Sequence, residues 1–384
     1  MTLPNYDGKN TVNLISSIQG YCGVKQTYKE LDLLKSEELN KYDNVVLFLV
    51  DGLGYNWLQK YAPGSFLSKN IVGDITSVFP STTSTAVTTF STGYTASEHA
   101  IMGRNMFVKE ASSIIQILPW RNKILKNNLG DKLKIEDITV EGNFFEKSDK
   151  EIFIVTSELF KEKSNYNNFY NKNSKVLYYN TLNSFFDETC NAVTMNKKKK
   201  YIYSYWGDFD GYCHDFGIDS KEAIDHFVDL DYQFQKLYKK LEGTNTLLIV
   251  TADHGQINTE ESKKLDLLKL FPELDDMLVV PMAGEERFQY CYIKDGYKDK
   301  FKNYIKSNLS EYIEIFSRDE VLEMKLFGYG NNNKFLERIG DFLLIAKDNY
   351  TLFYNTLGEK LKEDIGFHGG LNDWEIKVPV ICIR

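Results

Sequence analysis

The feature that most constrains the fold of this chain is a short, unbroken apolar run that ends abruptly at an acidic residue. Residues 44–50 have the sequence NVVLFLV and are followed at once by Asp51 and Gly52. Runs of this length, rich in Val, Leu and aromatic residues, are typical of strands buried on both faces of a mostly parallel sheet. Similar runs occur at Tyr201–Trp206, Thr246–Val250 and Val378–Ile383. The sequence therefore predicts at least four central strands.

Helical patterns separate these runs, and the clearest extends from Lys221 to Glu242. Its apolar residues recur at spacings of three and four, and Asp219 with Glu222 forms a candidate capping pair at its start. Strands that alternate with helices of this length predict an α/β fold. In that fold a doubly wound, mostly parallel central sheet is flanked by helices.

The pattern changes from about Asn258 to Tyr354, where charged helices mix with alternating segments such as Phe288–Ile293 and Phe342–Ala346. Alternation favours strands that are buried on one face only. We predict a smaller α+β unit here, inserted before the last core strand. The predicted division is a core of residues 1–257 and 355–384, and an inserted cap of residues 258–354.

Charge and cysteine content restrict the partners. The chain has 46 Lys and Arg against 54 Asp and Glu, a net charge of −8, which argues against nucleic-acid polymers and anionic membranes. Its five cysteines are scattered, its start lacks the pattern of a secretory signal, and no run approaches the ~18 apolar residues of a membrane span. We expect a cytoplasmic protein whose oligomeric state the sequence does not fix. An anionic substrate then needs a local partner, such as a metal ion or a helix N-terminus.

Acidic residues and histidines follow the predicted strands, directly or within a few residues. Each of them alone is a common turn residue. Together they fall where ligands bind in open α/β sheets, at the carboxyl ends of the strands. A set of Asp and His side chains on one rim suits two divalent cations, with Zn²⁺ as the first candidate and Mn²⁺ as the second. The residues are Asp51, Asp210, His214, Asp253, His254 and His368.

With these residues in place, the sequence resembles the alkaline phosphatase superfamily, nearest its type I phosphodiesterase/nucleotide pyrophosphatase branch. The resemblance rests on motifs in the family's order, spread over most of the chain. They are Leu49-Val-Asp51-Gly52, Phe79-Pro-Ser-Thr-Thr83, Ser91-Thr-Gly93 with Glu98-His99-Ala-Ile-Met-Gly103, Asp210-x-x-x-His214-x-x-Gly217, Thr251-Ala-Asp253-His254-Gly255 and Phe367-His368-Gly369-Gly370.

The resemblance implies a role for each matching position. Thr83, three residues after Pro80, falls where the family has its nucleophile, and a phospho-threonine intermediate is implied. Two metal ions a few ångströms apart would stabilise both apical oxygens of an in-line displacement. The implied ligands are Asp51, Asp253, His254 and the Thr83 hydroxyl for one ion, and Asp210, His214 and His368 for the other.

Substrate contacts are less defined by the sequence. A helix is predicted from Ser84 to Phe90, just after Thr83, so its free N–H groups and dipole would face phosphoryl oxygens. The chain departs from the family three residues after the nucleophile, where diesterases commonly have Asn and this chain has Ala86. Arg104 or Asn105 are the candidate replacements.

Tyr205 is a candidate for stacking a nucleobase, because nucleotide-handling relatives have an aromatic residue near this position. The predicted activity is hydrolysis of a phosphodiester or phosphoanhydride on a small, nucleotide-type substrate. A phosphomonoesterase or a phosphonate hydrolase of the phosphonoacetate type would use the same metal site. A non-catalytic nucleotide-binding sensor is a third interpretation, which the retained Thr83 opposes.

Overall fold

The computed structural model describes residues 1–161, 165–355 and 363–384. Residues 356–362 of the predicted core lie outside the described residues. The strands are, in chain order, β1 Asn44–Val50, β2 Ile71–Thr76, β3 Asn105–Val108, β4 Ser113–Gln116, β5 Arg121–Asn122, β6 Glu151–Ser157, β7 Lys175–Tyr179, β8 Lys200–Trp206, β9 Thr246–Thr251, β10 Ile257–Asn258, β11 Lys264–Asp266, β12 Ala283–Glu285, β13 Phe288–Cys291, β14 Ile313–Ser317, β15 Phe342–Ala346, β16 Thr351–Phe353, β17 Gly366–Phe367 and β18 Lys377–Ile383.

Helices connect most of these strands. They are, in chain order, α1 Thr11–Tyr21, α2 Ser36–Leu39, α3 Tyr55–Tyr61, α4 Phe66–Lys69, α5 Thr83–Thr92, α6 Ala96–His99, α7 Ile135–Ile138, α8 Asn165–Tyr170, α9 Leu182–Thr194, α10 Asp208–Phe216, α11 Lys221–Lys240, α12 Leu267–Leu270, α13 Lys298–Asn308, α14 Arg318–Glu323, α15 Asn333–Arg338 and α16 Asp373–Ile376.

A seven-stranded sheet in the order β2-β18-β9-β1-β8-β6-β7 forms the centre of the molecule. Strands β9, β1, β8, β6 and β7 are parallel, whereas β18 runs antiparallel to both of its neighbours. All seven residues of β1 are buried, as its unbroken apolar sequence requires of a central strand. The α/β fold and its mostly parallel sheet are therefore confirmed, including all four strands predicted from apolar runs.

The long helix predicted from Lys221 to Glu242 is α11, Lys221–Lys240, but its capping residue differs from the prediction. Ser220 is the N-cap, and its side chain accepts a hydrogen bond from the N–H of Ala223. The predicted pair of Asp219 and Glu222 is one residue out of register with this start. The side chain of Asp219 instead accepts a hydrogen bond from the amide of Asn258, at 2.7 Å.

A second, antiparallel sheet in the order β12-β13-β15-β14 lies within the segment for which we predicted an inserted unit. Its strands β13 and β15 contain the alternating segments noted in the sequence and pair with each other. Apolar residues of this sheet share a buried cluster with residues from earlier in the chain, for example Phe288 and Tyr290 with Phe79 and Met106. The division at residues 258 and 354 stays a prediction.

Helix length and hydropathy bear on membrane association. Among the residues that the structure describes, none of the helices combines the length and the apolar character needed to cross a bilayer.

Candidate metal centre and its cleft

The register of the central sheet brings the ends of three strands to one edge. Val50 of β1 lies opposite Trp206 of β8, and Leu49 lies opposite Thr251 of β9. Asp51 follows β1 at once, and Asp253 comes two residues after β9. Because parallel strands end at the same edge, carboxylates that are about 200 residues apart in sequence become neighbours.

Asp51, Asp253 and His254 form a fully buried cluster at this edge. The Nε2 atom of His254 lies 3.3 Å from Asp51 Oδ1 and 3.4 Å from Asp253 Oδ2. The other oxygen of Asp253 accepts hydrogen bonds from the backbone N–H groups of Gly52, at 3.2 Å, and His254, at 3.1 Å. One carboxylate oxygen from each aspartate thus faces the imidazole.

A second cluster lies beside the first. Asp210 and His214 are one turn apart on α10, which brings His214 Nε2 to 3.3 Å from Asp210 Oδ2. His368 Nε2 lies 4.0 Å from Asp210 Oδ1, and its ring stacks on that of His254 with a centroid distance of 3.6 Å. His254 is shared, since its ligand atom groups with Asp210 and His368 as well as with Asp51 and Asp253.

Backbone carbonyls orient the three imidazoles. The Nδ1 atoms of His214, His254 and His368 lie 2.7, 3.1 and 3.2 Å from the carbonyl oxygens of Gly366, Gly255 and Ser81 respectively. Such contacts fix the ring and leave Nε2 turned toward the carboxylates, as in histidines that bind metals.

Several buried acceptors in the cluster fit a bound cation. Asp51 Oδ1 and Asp253 Oδ2 are buried and have no hydrogen-bond partner among the described residues. Burial, followed by the charges of Asp253 and Asp210, raises the pKa of Asp51 well above its usual range. Burial likewise raises the pKa of Asp253. Buried carboxylates this close to one another need a counter-charge, and Asp and His are ligands that Zn²⁺ and Mn²⁺ accept.

Asp210 differs from the other two aspartates. Burial by itself raises its pKa, but the neighbouring imidazoles of His214, His368 and His254 outweigh burial and hold the pKa below its usual range. The side-chain amide of Gln256 also donates hydrogen bonds to its Oδ1 and, at 3.2 Å, to its backbone carbonyl. This carboxylate is therefore held charged and in one orientation. Gln256 directly follows the Asp253-His254-Gly255 motif, a position that could have drawn attention to it.

Thr83 lies at the rim of the cluster, as the first residue of α5. Its Oγ1 is 3.2 Å from His254 Nε2. The N-cap residue Thr82 makes no capping hydrogen bond, because its hydroxyl instead donates to Glu285 Oε2, at 2.8 Å. The N–H groups of the first turn, which have no partner inside the helix, therefore receive no cap from that side chain. The predicted helix thus begins at Thr83 itself, one residue earlier than expected.

A cleft of about 540 Å³ opens beside Thr83. Its walls are mostly apolar and aromatic, with amide and basic side chains among them. The rings of Phe160 and Tyr205 lie 6.1 Å apart, inclined at 56°. The lining includes Thr83, Val87, Leu118, Phe160, Tyr166, Tyr203, Tyr205, Asn128, Asn167, Arg121 and Lys126. Apart from Tyr205, Thr83 and the helix that Thr83 begins, the walls come from segments in which the sequence held no signal of a site.

The four predicted substrate residues lie in different surroundings. Tyr205 lines the cleft, and its hydroxyl also donates a hydrogen bond to Asp51 Oδ2. The hydroxyl of Ser84 is buried and has no hydrogen-bond partner among the described residues. Asn105 donates to the carbonyl of Gly284, at 2.8 Å, and lines a second cleft together with Arg104.

Arg104 lies within electrostatic reach of the metal-binding cluster. Burial lowers the pKa of its guanidinium, but the charges of Glu286, Glu285, Asp364 and Asp210 outweigh burial and raise it. Its backbone N–H donates to Glu285 Oε1, at 2.6 Å. Glu285 thus contacts both Thr82, the N-cap of α5, and Arg104, the residue before β3. The sequence did not predict these contacts because they span about 200 residues.

Comparisons with known proteins identify a family and a fold. The model of the family described as type I phosphodiesterase/nucleotide pyrophosphatase matches residues 45–371. Murine ectonucleotide pyrophosphatase/phosphodiesterase 5 has a similar structure, with 17% identity over 88% of this chain and 87% of that chain and a TM-score of 0.65. An inactive form of that protein has been solved in complex with AMP.

A bacterial structure is equally similar. Phosphonoacetate hydrolase from Sinorhizobium meliloti 1021, in complex with phosphonoformate, has 16% identity over 88% of this chain and 89% of that chain, with a TM-score of 0.66. At such identities, these likenesses concern the fold. A search of curated proteins found no match.

Proposed function

The chain belongs to the type I phosphodiesterase/nucleotide pyrophosphatase family, and from that premise we propose that it is a metal-dependent hydrolase of a phosphodiester or phosphoanhydride, with Thr83 as its nucleophile. The substrate is a small molecule of nucleotide type. Two divalent ions are required, with zinc as the first candidate and manganese as the second.

The position of Thr83 is the observation that supports the proposal most. Its hydroxyl lies at hydrogen-bond distance from His254 Nε2, beside a buried Asp and His cluster, at the start of a helix and on the wall of a cleft. A threonine hydroxyl is a weak nucleophile and needs activation from such surroundings. A threonine with a purely structural role needs none of these four features.

The residues that would hold the ions follow from the two clusters. Asp51, Asp253, His254 and the Thr83 hydroxyl would hold one ion, and Asp210, His214 and His368 the other. Two such ions, when bound, would supply Lewis-acid stabilisation of the oxygens that enter and leave phosphorus. The unpartnered oxygens Asp51 Oδ1 and Asp253 Oδ2 are the acceptors that fit this use best.

The chain's own groups then perform a two-step displacement. Thr83 Oγ1 releases its proton to solvent and forms a bond to phosphorus, while the bond from phosphorus to the leaving oxygen breaks and that oxygen takes up a proton from solvent. Water next attacks the phospho-threonine and releases a proton, the bond between Oγ1 and phosphorus breaks, and Thr83 regains a proton. The first-turn N–H groups of α5 and the buried Ser84 hydroxyl donate to the non-bridging oxygens in both steps.

The cleft supplies a second region of contact for the substrate, in addition to Thr83. The phosphoryl group lies at Thr83, and a planar leaving group or nucleobase lies against the rings of Tyr205 and Phe160. Ala86 cannot supply the amide that diesterases commonly have at that position. Arg104, which lines the second cleft with Asn105 and Glu285, is the candidate donor to compensate for this loss.

A turnover assay that compares three substrates tests the substrate class. Zinc-loaded protein is given bis-p-nitrophenyl phosphate, p-nitrophenyl phosphate and phosphonoacetate at equal concentration. A higher kcat/KM for the diester supports the proposal and justifies a screen of nucleotides and dinucleotides. A higher kcat/KM for the monoester or the phosphonate would contradict the diesterase assignment. Absence of turnover with all three substrates would favour a binding role.

A further inference from the structure

A buried ion pair lies outside both metal-binding clusters but contacts the loops that carry them. Arg287, between β12 and β13, donates from Nε and Nη2 to the two carboxylate oxygens of Glu375, at 2.9 and 2.8 Å. The two side chains are 1% and 0% exposed. The guanidinium also donates to the backbone carbonyls of Asp348 and Tyr350. The pair is thus bidentate, and two further N–H groups of the guanidinium donate to backbone carbonyls.

Glu375 contacts the loop of His368 through its carboxylate. Its Oε1 accepts the backbone N–H of Gly370, two residues after His368, at 2.8 Å. A Cβ at Gly370 would lie 3.0 Å from both carboxylate oxygens, so a side chain there would fit tightly against Glu375. The carbonyl of Gly370 in turn accepts the Ser81 hydroxyl, at 2.8 Å, which joins this loop to the segment before Thr83.

The same residue contacts the turn after His254 through its backbone. The Glu375 carbonyl accepts the N–H of Gly255, at 2.7 Å. A Cβ at Gly255 would overlap the carbonyl oxygen of Trp374. One short helix, α16, is therefore packed against both loops that present stacked imidazoles to the metal centre.

Stability alone does not explain this pair. Taking two charges out of water costs several kcal/mol per ion, and apolar residues of similar volume often stabilise a protein as well or better. Apolar residues, however, cannot form directional hydrogen bonds. A bidentate pair fixes Glu375, and Glu375 fixes the loop that carries His368 relative to the turn that carries His254.

From these contacts we infer that Arg287 and Glu375 are positioning residues that set the metal affinity of the centre, chiefly for the ion held by His368. The inference rests on the proposed function, because it presupposes that the clusters bind metal. Partners of metal ligands typically change metal affinity by about 10–100-fold when they are mutated.

The test measures zinc binding, not only turnover. The full chain is stripped with a chelator, and the number of bound ions and their dissociation constants are measured by titration, together with Tm of the stripped protein. The variants are Glu375→Gln, which keeps one acceptor oxygen, and Arg287→Lys, which keeps the charge but loses the bidentate geometry. If one of them does not fold, the other decides.

Arg338→Lys is the matched control. Arg338 is 3% exposed, and its Nη1 donates to the carbonyls of Ala100 and Ile138, at 2.7 and 2.6 Å. Its replacement disturbs a buried guanidinium, as in Arg287→Lys, but its two acceptors, the carbonyls of Ala100 and Ile138, lie outside the two metal clusters. It shows how much of any change comes from structural damage alone.

We expect the wild type to bind two ions, and both test variants to bind one of them, the ion that His368 would hold, about 10–100-fold less tightly. Excess zinc should restore most of their turnover by mass action. Arg338→Lys should keep both dissociation constants within about twofold even where it lowers Tm equally. Affinities in the test variants that match the control would overturn the inference alone. A wild type that binds no zinc would overturn both the inference and the proposed function.

Discussion

At the scale of single residues, Tyr205 makes one contact through its ring and another through its hydroxyl, and the sequence could not predict both. Its ring lines the cleft beside Thr83, and its hydroxyl donates to Asp51. The sequence indicated an aromatic residue five positions before Asp210, and the ring fits that expectation. The hydroxyl contact depends on the pairing of β1 with β8, in which Leu49 lies opposite Tyr205. No local pattern reveals such a register.

The Tyr205 hydroxyl should therefore matter for the metal rather than for the substrate. Tyr205→Phe keeps the ring but removes the donor to Asp51, and we expect about tenfold weaker binding of one ion, with KM changed less than threefold. Zinc titration and steady-state kinetics measure these effects. Tyr203→Phe is the control, because Tyr203 lines the same cleft and its buried hydroxyl has no hydrogen-bond partner among the described residues. Equal zinc affinity in both variants would contradict this role.

Thr83 and its neighbour Thr82 offer a matched comparison. Thr83→Ala removes the nucleophile, and we expect kcat/KM to fall by at least about 1,000-fold, as for other catalytic nucleophiles. Thr83→Ser keeps a hydroxyl and should retain measurable turnover. Thr82→Ala removes a hydroxyl one residue earlier, which donates to Glu285, and should retain activity within about tenfold. Similar losses in the two alanine variants would mean that the helix start is sensitive as a whole.

At the scale of elements, the spacing of residues within a motif predicted which side chains meet better than it predicted the helices and strands that carry them. Asp210 and His214 are both on α10, where a spacing of four brings the side chains together. Strands β2, β6 and β7 of the central sheet were missed. Because β7 is an edge strand that begins with an exposed lysine, its sequence lacks the unbroken apolar pattern of β1.

The close approach of α16 to the turn after His254 gives a prediction at this scale. Gly255→Ala places a Cβ against the Trp374 carbonyl, so we expect the free energy of unfolding to fall by about 1–3 kcal/mol. Gly211→Ala is the contrast, because Gly211 is within α10 and a Cβ there meets no atom within 4 Å. It should raise stability by about 0.5–1 kcal/mol. Urea unfolding of the metal-free proteins measures both, and equal stability of the two variants would contradict the packing described here.

At the scale of the whole molecule, the candidate centre is assembled from segments between Asp51 and His368, so the proposed metal binding requires the folded chain. The order of the motifs along the chain led to the predicted ligands through the family resemblance, and the structure brings Asp and His side chains of that set together. Which residues support them could not be predicted, since Glu285, Arg287 and Glu375 act through contacts that span 88 to 203 residues. Contacts of that range depend on how the second sheet packs against the first.

Coupling of metal binding to folding predicts a large change in thermal stability. Zinc at about 100 times its dissociation constant should add about 2.7 kcal/mol to the free energy of unfolding, so Tm should rise by several degrees relative to chelator-treated protein. Asp51→Asn removes one ligand oxygen from the cluster, and its Tm should respond much less to zinc. A wild-type Tm that does not depend on zinc would oppose the proposed metal centre.

The most direct test of the central claim is detection of the covalent intermediate on Thr83. Zinc-loaded protein is mixed with bis-p-nitrophenyl phosphate, quenched in acid within the first turnovers, digested and analysed by mass spectrometry. We predict a p-nitrophenylphosphoryl group on the peptide that contains Thr83, localised to that residue, absent after chelation and absent in Thr83→Ala. Turnover that persists in Thr83→Ala, or an adduct on a different residue, would contradict the account.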